Sequence, residues 1–208
     1  MDNNKLPDKT VERLSQYRRA LLNASSGGKQ YIFSHEIADL LHLTPVQVRR
    51  DIMLIGYSGK LRHGYNVKEL IEAVSTIIDT KNKQKVAIVG VGNLGRAIMG
   101  YFKGKKSQLS VVAGFDINCD TINKEYTGVV CYSLEEMESI IRKNNIHIAI
   151  LTVPGHAAEQ TAQKLINSGI KGILNFTSHS LQVPSDVYLE EYDMITSLEK
   201  IAYFVKSE

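Results

Sequence analysis

The stretch that decides the fold is VAIVGVGNLGR, residues 86–96. Its first four residues are apolar and mostly β-branched, which predicts a buried strand, and Gly90, Gly92 and Gly95 follow at the spacing GxGxxG. A strand that runs through such a loop into a helix is typical of dinucleotide-binding domains. Gly90 permits the tight turn, Gly92 leaves room for a pyrophosphate, and Gly95 lets the helix pack closely on the strand.

Two further features place a nucleotide at this loop. Asn93 and Leu94 open the predicted helix, so that its free N–H groups would face the phosphates. Asp116 closes the second predicted strand, where a carboxylate would accept hydrogen bonds from both adenosine ribose hydroxyls. The three residues after it carry no positive charge that could hold a 2′-phosphate, which favours NAD over NADP. Asp116 could instead be an ordinary turn residue at a strand end.

Strand and helix patterns alternate around this loop. Strands are predicted at 86–89, 111–115, 129–132, 148–153 and 172–176, and helices at 93–101, 134–143, 157–168 and 197–206. Continuous β-branched runs between helices predict an α/β domain with a doubly wound, Rossmann-type parallel sheet over residues 85–192. Thr152, Val153 and Pro154 end the fourth strand, where this fold has its ligand crevice. His156, which follows, suits a capping or surface role better than a catalytic one, and no catalytic residue is assigned.

Residues 1–81 show a different order. Helices are predicted at 7–24, 34–41, 44–55 and 66–81, with Ser34 and Thr44 as caps, and a two-stranded ribbon is predicted at 60–63 among Gly56, Gly59 and Gly64. Residues 1–84 carry 13 Lys and Arg against 9 Asp and Glu, whereas the remainder carries 12 against 13. The order and the charge excess together favour an N-terminal winged helix-turn-helix domain with a polyanionic partner, double-stranded DNA.

The third helix of this segment is the candidate recognition helix. Val48, Ile52 and Ile55 recur at the spacing of a buried face, and this leaves Gln47, Arg50 and Asp51 on the other side, flanked by Arg49. Arg can bind guanine through two hydrogen bonds and Gln can read adenine, although either can simply hold a phosphate. An ordinary solvated helix face is the alternative.

The composition argues against a membrane protein and against a protein built on metal sites or disulfides. A chain of 208 residues with 43% hydrophobic and 23% charged residues is ordinary for a globular protein. No apolar run is long enough for a membrane helix, and residues 1–25 carry scattered charges, so a cytoplasmic protein without membrane contact is expected. Cys119 and Cys131 have neither CxxC spacing nor a nearby pair of histidines, so neither a metal site nor a disulfide is expected.

These features together resemble the Rex family of bacterial redox-sensing repressors, from about Thr10 to Phe204. The resemblance rests on RLSQYRR at 13–19, QVRRD at 47–51, GVGNLGR at 90–96, LTVP at 151–154 and GIKGILNF at 169–176. It implies a winged helix fused to a Rossmann domain that binds NADH and NAD⁺. It also implies a homodimer that exchanges its C-terminal segment, residues 193–208, and release from operator DNA when NADH binds.

The resemblance also implies a redox switch. Carried over by position, its residues would be Arg19 on the first helix, Tyr101 near the nicotinamide and Asp193 before the exchanged helix. A carboxylate shared between an Arg and a Tyr could change partners when the positive ring of NAD⁺ becomes neutral in NADH. Without the resemblance, Arg19 and Asp193 would be interpreted as surface charges and Tyr101 as a core aromatic.

The wing departs from the family pattern. The family usually has Gly-x-Arg-Gly-x-Gly-Tyr, whereas residues 59–65 read GKLRHGY, with Leu61 in place of the Arg and Arg62 in place of a Gly. Lys60 and Arg62 remain candidates for DNA binding, and Arg62 could enter an A·T minor groove from a shifted ribbon. Alternatively, the chain is a paralogue with altered or weakened operator binding.

Two other functions stay open at this point. A small NAD-dependent oxidoreductase with a regulatory N-terminal domain would need a proton donor beside the nicotinamide and a substrate pocket. The Rossmann pattern, however, occupies residues 85–176 and leaves only about thirty residues for both. The altered wing alone supports the second alternative, a scaffold that binds the dinucleotide and no longer binds DNA.

Overall fold

The computed structural model describes residues 6–59, 63–80, 82–104, 108–118 and 120–205. The chain divides into two compact units, Met1–Lys81 and Asn82–Glu208. Two candidate DNA-binding residues, Lys60 and Arg62, lie outside the described residues, as does Cys119. Within the described ranges, no helix has both the length and the apolar character needed to span a membrane.

The first unit is mainly helical. Its elements are α1 (Asp8–Ser26), β1 (Tyr31–Ile32), α2 (Ser34–Leu41), α3 (Pro45–Leu54), β2 (Tyr65–Asn66) and α4 (Val67–Ile78). All four helices contribute buried side chains to one core, among them Leu14, Ile37, Ile52 and Leu70. Within this core α1 packs mainly on α4, and α3 packs mainly on α2.

Side-chain caps set the start of two helices. The Thr44 hydroxyl accepts the N–H of Gln47 at 3.2 Å, and Pro45 occupies the first helical position of α3, as the sequence predicts. The Asn66 side chain accepts two N–H groups at the start of α4. The prediction that Ser34 caps α2 is wrong, because Ser34 is already the first helical residue and Phe33 precedes the helix.

The small sheet of the first unit consists of the two short strands β1 and β2. β2 pairs antiparallel with β1, so that Tyr31 faces Asn66 and Ile32 faces Tyr65. The predicted ribbon at 60–63 lies outside the described residues except for His63, and no strand was predicted before α2. A strand of two residues is too short to show an alternating pattern, which is why β1 was missed.

The second unit is built around a seven-stranded sheet. Its elements are β3 (Gln84–Val89), α5 (Asn93–Phe102), β4 (Leu109–Asp116), β5 (Glu125–Tyr126), β6 (Val129–Ser133), a 3₁₀ turn (Leu134–Glu136), α6 (Met137–Asn144), β7 (Ile148–Leu151), α7 (Gly155–Asn167), β8 (Gly172–Asn175), β9 (Tyr188–Glu191) and α8 (Met194–Phe204). The strand order is β5-β6-β4-β3-β7-β8-β9, and every neighbouring pair except the β5–β6 hairpin is parallel. Its six parallel strands have the 3-2-1-4-5-6 order of dinucleotide-binding folds.

Both faces of the central strands are buried. Ala87 and Val89 belong to the core that contains residues of α6 and α7, whereas Val86 and Ile88 belong to the core beside α5. Cys131 is fully buried in this second core, and burial raises the pKa of its thiol to about 11. The predicted α/β fold, a helix-turn-helix unit followed by a doubly wound sheet, is confirmed.

The sequence missed β5 and β9, which are two and four residues long. It also began the last helix at residue 197, whereas α8 begins at Met194 because the Asp193 side chain caps it. Every described residue of α8 is exposed, including six large apolar side chains.

Candidate dinucleotide-binding loop and recognition helix

In the glycine loop between β3 and α5, two glycines lie close against neighbouring backbone and the third faces open space. Gly90 has a φ of +94°, and a Cβ there would lie 2.7 Å from the carbonyl oxygen of Thr152. A Cβ on Gly95 would lie 2.1 Å from the carbonyl oxygen of Gly90. A Cβ on Gly92, by contrast, would meet no atom within 4 Å. Gly90 and Gly95 therefore serve packing, whereas Gly92 faces open space that a phosphate can approach.

The first turn of α5 is available for an anion. No side chain caps the helix at Gly92, and Asn93 and Leu94 are both exposed. An uncapped N-terminus leaves backbone N–H groups and the positive end of the helix dipole directed at a ligand. This geometry fits the two residues that the sequence singled out as phosphate contacts.

Asp116 is held against the glycine loop by backbone N–H groups. Its Oδ2 accepts the N–H of Val91 at 2.7 Å, and its Oδ1 accepts those of Ile117 at 2.8 Å and Asn118 at 2.9 Å. The side chain is half-buried at the end of β4. The carboxylate thus lies at the strand end beside the loop, where a dinucleotide fold binds the adenosine ribose.

Thr152 joins the glycine loop to the neighbouring strand. Its hydroxyl lies 2.8 Å from the carbonyl oxygen of Gly90 and 3.0 Å from that of Val89, and it can donate to either. β3 and β7 are the adjacent strands at which the strand order reverses, and ligands bind at this point in doubly wound sheets. Val153 and Pro154 follow directly, before α7 begins at Gly155.

Sequence analysis did not assign a role to Arg96. Its Nε donates to the carbonyl oxygen of Val91 at 2.9 Å, and its guanidinium lies 4.4 Å from the ring centroid of Tyr126. Arg96 therefore supports the outer side of the glycine loop. Its place directly after the last glycine of the motif was a usable signal, whereas nothing in the sequence indicated Tyr126.

Of the three candidate switch residues, Arg19 belongs to the first unit, and Tyr101 and Asp193 belong to the second. Arg19 is exposed on α1 of the first unit, and Tyr101 is 64% exposed on α5 of the second, on the surface rather than in the core. Asp193 caps α8, and hydrogen bonds from the Thr196 hydroxyl and the Ile195 N–H lower the pKa of its carboxyl. That the three act together stays a prediction.

The recognition helix α3 exposes one stripe. Val46, Arg49, Arg50 and Met53 are exposed, and Gln47 is half-buried at the border of this stripe. The Arg49 guanidinium donates to the Ser34 hydroxyl at 3.0 Å, which holds its side chain near the start of α2. Val46, Arg49, Arg50 and Met53 recur at three- and four-residue spacings, so they form one exposed surface, on which the two consecutive arginines point about 100° apart.

The prediction that Asp51 lies on the groove side of α3 is wrong. Asp51 is 2% exposed, and it pairs with Arg13 and Tyr17 of α1. Burial disfavours ionisation of its carboxyl, but hydrogen bonds from Arg13 and Tyr17 outweigh this cost and hold its pKa below the usual value. Position 51 is three residues after Val48, so the buried face includes it, and a charged residue type hid this from the sequence pattern.

Two family models match the chain. The model described as "CoA binding domain" matches residues 81–179, and the model described as "Putative DNA-binding protein N-terminus" matches residues 5–52.

Curated relatives match over the full length. The redox-sensing transcriptional repressor Rex of Lactobacillus acidophilus is 36% identical over 208 residues, which cover 100% of this chain and 99% of the relative. The protein of the same name from Bacillus licheniformis is 37% identical over 206 residues, covering 99% of this chain and 96% of the relative.

Solved structures of a Rex-family repressor also match nearly the full length of the chain. The crystal structure of RSP, a Rex-family repressor, has a TM-score of 0.86 at 32% identity and covers 97% of this chain and 94% of RSP. RSP in complex with β-NAD⁺ and operator DNA has a TM-score of 0.88 at 33% identity, covering 97% of this chain and 93% of that one. RSP in complex with β-NADH has a TM-score of 0.86 at 32% identity, covering 96% and 94%. The chain belongs to the Rex family of redox-sensing transcriptional repressors.

Proposed function

We propose that this chain is a redox-sensing transcriptional repressor that binds operator DNA as a homodimer and leaves it when NADH binds. One observation carries the proposal. A single chain joins two sites: a glycine loop that leads into the uncapped helix α5 and has a carboxylate beside it, and a candidate recognition helix that exposes two arginines. The complexes of RSP with β-NAD⁺ and operator DNA and with β-NADH support it.

The proposed cofactor pair is NADH and NAD⁺. The open position at Gly92 and the N–H groups of Asn93 and Leu94 would hold the pyrophosphate, and Asp116 would bind the ribose hydroxyls. The adenosine ribose of NADPH carries a 2′-phosphate and that of CoA carries a 3′-phosphate. Either phosphate would meet the negative charge of Asp116 with no added cation beside it, so both ligands are disfavoured.

The proposed DNA contacts lie on α3 and the wing. Arg49 and Arg50 would bind phosphates or guanine edges, and Gln47 would bind adenine or a phosphate. Lys60 and Arg62 are proposed wing contacts on the strength of sequence alone. Because no acid–base pair accompanies the nicotinamide end in this proposal, bound NADH acts as a signal and is not consumed by an enzymatic reaction.

The proposed dimer uses the segment 193–208. α8 exposes Met194, Ile195, Leu198, Ile201, Tyr203 and Phe204. Exposed apolar side chains in this number are typical of an interface, and exchange between two copies would bury them. Arg19, Tyr101 and Asp193 are proposed to bias the dimer between a DNA-bound and a released arrangement, in the cytoplasm, where NADH is made and used.

A gel-shift experiment tests the proposed function. The DNA is the duplex upstream of the protein's own gene, and the bound complex is titrated with NADH, NAD⁺, NADPH and CoA. NADH should release the DNA, NAD⁺ should not, and NADPH should need a concentration about tenfold higher or more, because ribose hydrogen bonds to a charged group are lost. Asp116→Asn removes the charge but keeps an acceptor, and it should narrow this difference.

Asp120→Asn is the matched control, since Asp120 is an exposed aspartate four residues further along the same loop. It should leave the preference for NADH intact. Equal release by NADH and NADPH from the unaltered protein would show that Asp116 does not bind the ribose. Sustained NADH oxidation with small carbonyl compounds would favour an oxidoreductase instead.

A further inference from the structure

A buried polar cluster in the first unit is not used by the proposed function. Asp51 of α3 accepts two hydrogen bonds from the guanidinium of Arg13, at 2.6 Å from Nε to Oδ2 and 2.8 Å from Nη2 to Oδ1. The hydroxyl of Tyr17 donates a third to Oδ2 at 2.7 Å, and Arg13 also donates to Thr10 at 3.2 Å. These partners of Asp51 lie on α1, 34 and 38 residues away along the chain.

The cluster is buried, and stability alone is a weak explanation for a buried ion pair. The side chains of Asp51 and Arg13 are 3% and 17% exposed, and Tyr17 is fully buried. A buried ion pair usually stabilises a fold no better than apolar residues of the same volume, because both charges lose their water. What it adds is direction, since the planar guanidinium donates its two parallel hydrogen bonds to a carboxylate in one orientation.

The cluster lies between α1 and α3, so its fixed geometry can set the orientation of α3. Because α3 packs mainly on α2 and α1 mainly on α4, the cluster is a direct link between the two helix pairs. The apolar contacts of Val48 and Ile52 hold α3 in the core, but such contacts are non-directional. Arg50 adjoins Asp51, and side chains leave an α-helix about 100° apart per residue, so any rotation of α3 redirects its arginines.

We propose that Asp51 is a positioning residue for DNA recognition. In this proposal the Arg13–Asp51–Tyr17 cluster fixes the rotation of α3 against α1 and so determines which base edges Gln47, Arg49 and Arg50 reach. The inference rests on the proposed function, because it states how that DNA-binding surface is oriented.

The test removes the cluster without leaving a buried charge. The double variant Arg13→Met with Asp51→Leu replaces the ion pair by apolar side chains and leaves the net charge unchanged, so non-specific attraction to DNA is preserved. The control double variant, Arg18→Met with Asp79→Leu, removes a different ion pair of α1, which joins α1 to the end of α4 and does not involve α3. Tyr17→Phe and Arg13→Lys complete the set.

Two duplexes serve as probes. One is the sequence that the unaltered chain enriches most from a duplex library with a randomised centre, and the other is the same duplex scrambled. The cluster variant should keep its affinity for the scrambled duplex but bind the enriched duplex about tenfold more weakly, a loss comparable to one mismatched base pair. Tyr17→Phe should show a smaller loss of the same kind, and the control none.

The Lys variant separates geometry from charge. Arg13→Lys keeps the positive charge but loses the forked pair of donors, so it should lose selectivity like the double variant. Full selectivity in Arg13→Lys would mean that charge alone suffices and would overturn the positioning role.

Other outcomes are equally decisive. A folded cluster variant that still enriches the original sequence overturns the inference, as does an equal loss for both duplexes. If the cluster variant does not fold, Tyr17→Phe carries the test, because it removes one hydrogen bond and leaves the ion pair in place. If the unaltered chain enriches no sequence, the proposed function and this inference both fail.

Discussion

Two aspartates, one in each unit, are fixed in opposite ways. Asp51 is held by the side chains of Arg13 and Tyr17, which come from a helix more than thirty residues earlier in the chain. Asp116 is held by the backbone N–H groups of Val91, Ile117 and Asn118, two of which belong to its own loop. Asp51 is buried, whereas Asp116 is half-buried at a strand end.

The difference separates two kinds of site. A carboxylate held by backbone groups depends on the path of the chain, and its N–H partners remain available to water if it is replaced. A carboxylate held by a buried guanidinium depends on one side chain, and either partner left alone is an uncompensated charge. Single substitutions should therefore act mainly on stability at Asp51 and mainly on ligand binding at Asp116.

Arg13→Ala should show the largest effect. It leaves Asp51 buried without its cation, which should lower the free energy of unfolding of the first unit by about 3–5 kcal/mol. Asp116→Ala should cost less than about 1 kcal/mol, because water can take over the N–H groups that it leaves. Urea unfolding of both variants of the full chain measures the two losses. Equal losses would remove the distinction between the two aspartates.

Substitutions at two glycines of the nucleotide loop should have effects of intermediate size, and they separate a loss of stability from a loss of ligand binding. Gly95→Ala places a Cβ against the backbone of Gly90 and should destabilise the second unit by about 1–3 kcal/mol, as overpacking does. Gly92→Ala enters open space, so it should keep the melting temperature but weaken NADH binding in calorimetry. A Gly92 variant that binds NADH normally would mean that the pyrophosphate lies elsewhere.

The smallest expected effect concerns pH. Because folding lowers the pKa of Asp51 below its ordinary value of 3.8, its contribution to stability is complete above 3.8 and is lost as the pH falls through the lower, folded-state pKa. The difference in stability between the unaltered chain and Asp51→Asn should therefore be constant near neutral pH and narrow below about pH 4. Chemical unfolding at a series of pH values measures it. A difference that stays constant down to pH 2 would contradict the linkage.

Local patterns predicted the second unit well. The glycine loop, the strand before it and the acidic residue at the end of β4 lie within about thirty residues, and each depends on backbone geometry that a short motif specifies. The parallel direction of the sheet followed from the alternation of strands and helices, since parallel strands need crossovers. β5 was missed because it has only two residues, and β9 was missed because three of its four residues are exposed, so it forms no buried apolar run.

The first unit shows what a local pattern cannot supply. The spacing of Val48 and Ile52 located the buried face of α3, but the residue type of Asp51 placed it on the wrong side. Only its distant partners make burial of that carboxylate acceptable, and a pairing across 38 residues leaves no periodic signal. The strand β1 was missed because its two residues show no alternation, and its partner β2 lies beyond two helices, so no neighbouring segment indicated the pairing.

The burial of Cys131 affects how readily its thiol reacts with oxidants. Only the thiolate of a cysteine reacts readily with peroxides and disulfides. With a pKa of about 11, the Cys131 thiol is ionised in about one molecule in ten thousand at pH 7, and its sulfur is enclosed in the core beside α5. Oxidants in the cell therefore have no direct route to the regulator through this side chain. It would respond to metabolic flux through the nicotinamide pool and stay insensitive, at Cys131, to a burst of peroxide.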